Sequence, residues 1–273
     1  MRLLRVLFNS IYDFFKDGGV MLAASLSYFS MLAIVPFCLI IITILGYILG
    51  EHQAFFNFFL EKLTGFFPEI TKDITEELRK IITFKGIGKL SLILYGFLSF
   101  EFFSTMQSAM NAVFKVDQKR TFLGSVLLSF IVVTLIVLFL FISFLLSSAM
   151  LLIKPLQVHF PWLKIGTITA VFIKFIVPLL LVQFIAVSVY IILPKKKVKF
   201  FHAFWGGLFT AVMLEIAKHL FTWYVGSVTK LGTIYGSLTA FVLFLLWVYY
   251  SSIIFLIGGE IVHNLGEKSQ RYF

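Results

Sequence analysis

Apolar residues along this chain gather into six long runs separated by polar breaks. They cover about Val20 to Leu49, Leu90 to Phe114, Phe122 to Ile153, Ile165 to Leu193, Phe200 to Val225, and Gly232 to Val262. A bilayer core of about 30 Å takes roughly 20 apolar residues per helix, so each run is long enough to span, with length to spare for tilt. The expected fold is all-α: one polytopic membrane domain over residues 1–273 with six transmembrane helices. The chain's start does not read as a cleavable signal, because its apolar stretch is short and broken by Asp13, Lys16 and Asp17. The first run is therefore expected to stay as an anchor.

Between the first two runs the pattern changes. Across residues 51–89, Ile70, Ile74, Leu78 and Ile81 recur at helical spacing, with Asp73, Glu76, Glu77 and Arg79 on the other faces. The preceding stretch carries Phe55, Phe56, Phe58, Phe59 and Leu63 and ends at Gly65 and Pro68. This predicts two short amphipathic helices on the outer membrane surface or capping the mouth of the bundle.

Composition supports the same class. Of 273 residues 60% are hydrophobic and only 13% charged, with a mean hydropathy of +1.01, against about 25% charged in a soluble domain. That excludes a secreted disulfide scaffold, a disordered tail and an ordinary cytosolic enzyme. The single cysteine, Cys38, lies inside an apolar run and excludes an intrachain disulfide.

The net charge of +10 is unevenly placed. Arg2, Arg5 and Lys16 precede the first run; Lys115, Lys119 and Arg120 follow the second; Lys195, Lys196, Lys197 and Lys199 follow the fourth; Lys268 and Arg271 follow the sixth. The alternate short loops hold only Lys154, Lys164 and Lys230. Since short cation-rich loops stay on the cytoplasmic side, both termini are expected to be cytoplasmic. The four lysines after the fourth run are candidate lipid-headgroup contacts beside an anionic leaflet, in preference to an RNA site.

Ionisable groups at bilayer depth cost a few kcal/mol and call for a partner or water. On the second run Glu101, Ser104, Ser108 and Asn111 are spaced to share one helix face, flanked by Thr105 and Gln107, and that face is expected to point inward. On the fifth, Glu215 precedes Lys218 and His219 by three and four, so the helix can neutralise its own carboxylate; the pair reads equally as one that merely permits burial. On the sixth, Glu260 is followed by His263 and Asn264, with Tyr235 and Tyr249 near the same azimuth, or the group marks only the water interface. Lys174, on the fourth run, could snorkel. Pro36 and Pro178 are candidate helix breaks. Small residues of the first run, with Gly206, Gly207, Gly258 and Gly259, permit close helix contact.

Catalytic signatures are missing: there is no P-loop, H-E-x-x-H, G-x-S-x-G or paired-cysteine motif. The histidines His52, His159, His202, His219 and His263 are scattered, so no metal site is expected. The expectation is a non-enzyme without cofactor and without a nucleic-acid partner.

Three stretches resemble a known family: AASLSYFSMLAIVP from Ala23 to Pro36; Tyr190 to Leu220 with Pro194, Gly206, Gly207, Glu215 and Lys218; and IYGSLTAFVLFLLWVYYSSIIFLIGGEIVHN from Ile234 to Asn264. The last, with Tyr235, Gly236, Ser237, Trp247, Tyr249, Gly259 and Glu260, is the most specific, and Asn111 adds to it. Together they resemble the YihY/virulence factor BrkB proteins of bacterial inner membranes, once labelled ribonuclease BN. The resemblance implies six helices with cytoplasmic termini and a loose link to envelope functions, but no secure activity. The sequence ends soon after the sixth run, where some relatives carry a tail.

The leading functional expectation is a carrier or binder of a lipid-like or amphipathic substrate, in a cavity lined by Glu101, Ser104, Ser108, Asn111, Glu215, Lys218, His219, Tyr235, Tyr249 and Glu260. Membrane lipids are the expected partners. An envelope scaffold working through partner proteins is the alternative, and a tRNA-processing ribonuclease the more remote one.

Overall fold

The computed structural model describes residues 2–33, 89–116, 121–153, 175–227 and 239–270. Among these the chain is helical throughout: α1 (Arg2–Lys16), α2 (Gly19–Ala33), α3 (Lys89–Val113), α4 (Phe122–Ile153), α5 (Val177–Ile192), α6 (Phe200–Ser227) and α7 (Thr239–Gln270). Three of them hold stretches long and apolar enough to cross a membrane, at Leu123–Leu145, Phe200–Tyr224 and Phe241–Glu267; α2 and α5 are apolar but shorter. The protein is a membrane protein whose described elements are all helices. Leu123, Phe130 and Leu138 of α4 and Trp223 of α6 stand exposed; in water such a surface would aggregate, and in lipid it is the expected exterior.

The expected bounds of the second, third and fifth runs agree with α3, α4 and α6 to within two residues. The sixth differs, because α7 continues past Val262 to Gln270. Polar residues end the apolar run there, yet His263 and Asn264 are buried. Of the fourth run, α5 represents the second half. It begins just after a wider π-helical turn at Phe175 and Ile176, with Pro178 in its first turn, where a missing N–H costs least. The amphipathic stretch at 51–88, together with Pro36, Cys38, Lys174 and Tyr235, lies outside the described residues.

Bundle packing centres on α6, which lies against α5 on one side and α7 on the other; α4 packs on α5, and α3 touches α7 and α4. Glycine sets how closely these axes approach. A Cβ on Gly258 would run into Thr210 Oγ1 and the Tyr190 hydroxyl, and one on Gly206 would meet the Val262 side chain and the Gly258 carbonyl. Close backbone approach of this kind is how helices associate where lipid removes the hydrophobic drive.

Polar groups then hold the contact. The Tyr190 hydroxyl is 2.6 Å from the Phe255 carbonyl and 2.8 Å from Thr210 Oγ1, which itself lies 3.0 Å from the Gly206 carbonyl. Tyr190 thereby ties α5 to both α6 and α7 while its ring stacks on Phe255. Gln183 Nε2 donates to the Phe204 carbonyl at 2.9 Å and pins α5 to α6 a second time.

The first helix lies outside the six apolar runs. Val6, Ser10 and Phe14 of α1 are buried against the bundle, mainly α7, while Leu4, Phe8, Tyr12 and Phe15 face outward. Its apolar residues form one broad face with Arg5, Asn9, Asp13 and Lys16 along the opposite side, and in sequence those polar residues interrupt the apolar run. A tight turn joins α1 to α2. Gly18 sits in the left-handed region at φ 71°, and its carbonyl accepts from the N–H groups of Met21 and Leu22. A non-glycine residue would be strained there.

Candidate functional site

The cation-rich segments recognised in the sequence meet at one end of the bundle. Lys195 N–H donates to Asn111 Oδ1 at 3.1 Å and joins the α5–α6 connection to the end of α3. Lys115 Nζ lies 3.4 Å from Asp17 Oδ2, linking the segment after α3 to the α1–α2 turn. Asn264 Nδ2 donates to Ser10 Oγ at 3.1 Å and to Asp13 Oδ2 at 2.9 Å, linking α7 to α1. The His263 ring packs edge-on against Phe114.

Local backbone geometry places Lys115. Its φ of 55° closes α3 as a Schellman turn, with Val116 N–H on the Asn111 carbonyl and Lys115 N–H on the Ala112 carbonyl. Glycine normally takes that position; a lysine there accepts strain of about 1 kcal/mol, and its ammonium reaches Asp17. Burial pulls the Lys115 ammonium down, but Asp17 and Asp13 more than offset it, so the group titrates above the ordinary lysine value.

Glu260 lies at the centre. Its side chain is 0% exposed, and among the described residues neither carboxyl oxygen has a hydrogen-bond partner. Asp13, Asp17 and Lys115 lie within electrostatic reach, as does Glu267 of its own helix. His263, next to it, is also buried; its Nε2 is 3.2 Å from Glu267 Oε1 but not aligned for a hydrogen bond, and its Nδ1 has no partner either. A carboxyl group sealed from water without a donor is among the costliest arrangements in a folded chain, and an intramembrane acid of this kind is a functional candidate in its own right.

The other candidates are dispersed. Lys218 Nζ lies 2.8 Å from both Glu215 oxygens, with His219 Nε2 3.4 Å from Oε1. This group is on the side of α6, with His219 68% exposed and Glu215 31%. On α3 the buried stripe is Phe103, Met106, Gln107, Met110 and Val113. Glu101, Ser104 and Asn111 are half-buried on the other side of the helix and Ser108 is exposed, so the expected inward direction belongs to the bulky apolar residues instead. Asn111 is occupied in holding the Lys195 backbone. Tyr249 is half-buried beside Tyr250. Among the lysines, Lys195, Lys197 and Lys199 are exposed and Lys196 half-buried. No cluster of three or more metal-ligating side chains occurs among the described residues.

Sequence reasoning missed Asp13 and Asp17 as neighbours of Glu260, Ser10 as a partner of Asn264, and Tyr190 as the central pin. Tyr190 left a signal: a phenol inside an apolar run needs a hydrogen-bond partner once buried. The aspartates left only their charge.

Comparison with known proteins supplies the remaining observation: the pattern of the family described as Virulence factor BrkB matches residues 10–272. The chain belongs to the YihY/BrkB family. A UPF0761 membrane protein of Azotobacter vinelandii is 32% identical over 92% of this chain and 61% of its own length. One from Legionella pneumophila is 26% identical over 96% of this chain and 62% of its own, and one from Haemophilus influenzae 26% over 91% and 90%. This chain thus spans a little over three fifths of the first two BrkB relatives. No solved structure matches it. The relatives are named as membrane proteins of no stated activity.

Proposed function

We propose that this BrkB-family protein binds and moves a lipid-like or amphipathic substrate across part of the bacterial inner membrane, as a six-span bundle with its cation-rich end in the cytoplasm. The observation that carries the reading is the Glu215–Lys218 pair. It lies about 22 Å along α6 from Phe200, at roughly 1.5 Å per residue, within a span apolar enough to cross a membrane. Yet the lysine side chain stays 25% exposed and the glutamate 31%. A carboxylate and an ammonium presented together on the flank of an apolar helix can exchange their mutual contact for the opposite charges of a polar headgroup, while the flanking apolar surface takes the chains. Lys195, Lys196, Lys197 and Lys199 supply headgroup attraction at the cytoplasmic surface.

The test is translocation of fluorescent phospholipid in proteoliposomes containing the full chain. Glu215→Gln and Lys218→Met are each expected to lower the protein-dependent rate about tenfold, the order of effect when one partner of a charged contact is lost. Glu101→Gln is the companion variant for the half-buried carboxyl of α3. Wild-type rates in both α6 variants would remove the pair from the mechanism.

A further inference from the structure

The cluster around Glu260 supports a conclusion independent of any substrate. We propose that Glu260 is a proton-binding site whose occupancy determines whether α1 stays seated on α7.

The buried carboxyl faces Asp13 of α1, Asp17 of the α1–α2 turn and Lys115 after α3, with Glu267 and His263 on its own helix; Lys196 of the α5–α6 connection acts on His263. Protonated, Glu260 is neutral, and Lys115 has only the two aspartates to balance. Ionised, it adds a negative charge beside those of Asp13, Asp17 and Glu267, and no hydrogen-bond donor among the described residues meets it. Two of its acidic neighbours, Asp13 and Asp17, belong to α1 and its turn.

Relief must come from movement, and the elements differ in their freedom. α7 is locked to α6 at Gly206 and Gly258 and to α5 through Tyr190. α1 is held to α7 by its Val6 and Phe14 packing and by Asn264, which donates to Ser10 and Asp13. Behind it is a two-residue turn with a left-handed glycine. Displacing α1 separates Asp13 and Asp17 from Glu260 and admits water to the carboxylate. Loss of the proton therefore unseats α1, and binding of the proton reseats it.

The experiment is hydrogen–deuterium exchange of the full chain in lipid nanodiscs from about pH 5 to about pH 8, corrected for the intrinsic pH dependence of exchange and read at the α1 amides. In the wild type, α1 protection is expected to fall with rising pH, by up to about tenfold per pH unit for one linked proton. Glu260→Gln, which keeps the shape without the charge, is expected to hold α1 protected at every pH. Glu260→Asp is expected to restore the dependence. His263→Phe, which keeps the ring against Phe114, is expected to retain it and so separates the carboxyl from the imidazole. A flat wild-type profile, or Glu260→Gln loosening with pH as the wild type does, overturns the proposal. The wild-type series decides on its own if a variant fails to fold.

Discussion

The Asn264 side-chain amide donates to Asp13 Oδ2 at 2.9 Å across 251 positions of sequence, joining the first helix of the chain to the last. The same amide lies 3.1 Å from Ser10 Oγ. A hydrogen bond to a charged acceptor is worth about 1.5–3 kcal/mol. Asn264→Ala is therefore expected to raise the opening of α1 by about tenfold or more, seen as faster tryptic cleavage after the exposed Arg5 and Lys16 in nanodiscs. Cleavage at the wild-type rate would show that apolar packing alone seats the helix.

Crossing geometry sets a second expectation. Gly258→Ala places a methyl group where Thr210 and Tyr190 already meet, and overpacking of this kind costs about 1–3 kcal/mol. Gly266 is the internal control: an added Cβ would meet only His202 Nδ1 at an ordinary 3.8 Å. Gly266→Ala is expected to be neutral or slightly stabilising, since alanine is the better helix former by about 1 kcal/mol. Thermal unfolding in detergent distinguishes the two, and equal midpoints would contradict the close approach.

Removing the Tyr190 hydroxyl leaves the Phe255 carbonyl and Thr210 without that partner. Tyr190→Phe is expected to cost about 1 kcal/mol. A double-mutant cycle with Thr210→Ala should show a coupling of about 0.6 kcal/mol or more, the usual size for interhelical hydrogen bonds in membranes. Strict additivity would mean the two hydroxyls do not share a bond.

Lys115 predicts a weak alkaline limb. Its folded value lies above the unfolded one because of Asp17 and Asp13, despite the opposing effect of burial. Its stabilisation is therefore complete below the unfolded value, about pH 10.4, and is lost as pH rises through the folded value. The side chain is 46% exposed, so screening keeps the effect small. Chemical denaturation compared at neutral and strongly alkaline pH should show Lys115→Met losing this increment and Lys115→Arg keeping it.

Legibility followed the range of the interactions. The limits of α4 could be read because an apolar run bounded by charges defines a helix locally, and Glu215 and Lys218 could be paired because they lie one turn apart. The neighbours of Glu260 could not be read, since Asp13 and Asp17 reach it only through folding of the whole chain, and spacing within α7 carries no trace of them. The direction of Glu101 was misjudged for a related reason. Polarity alone does not mark the interior, because Phe103, Met106 and Met110 fill it by volume; in lipid, burial of apolar bulk no longer separates inside from outside.

The glycine crossing of α6 and α7 constrains how this protein can work. Backbones in such intimate register, bolted by one phenol to a third helix, have no room to slide or rotate past each other without breaking both contacts at once. The trio of α5, α6 and α7 therefore forms one frame whose members cannot move separately while those contacts hold. Any rearrangement that keeps both contacts is confined to the helices arranged around that frame.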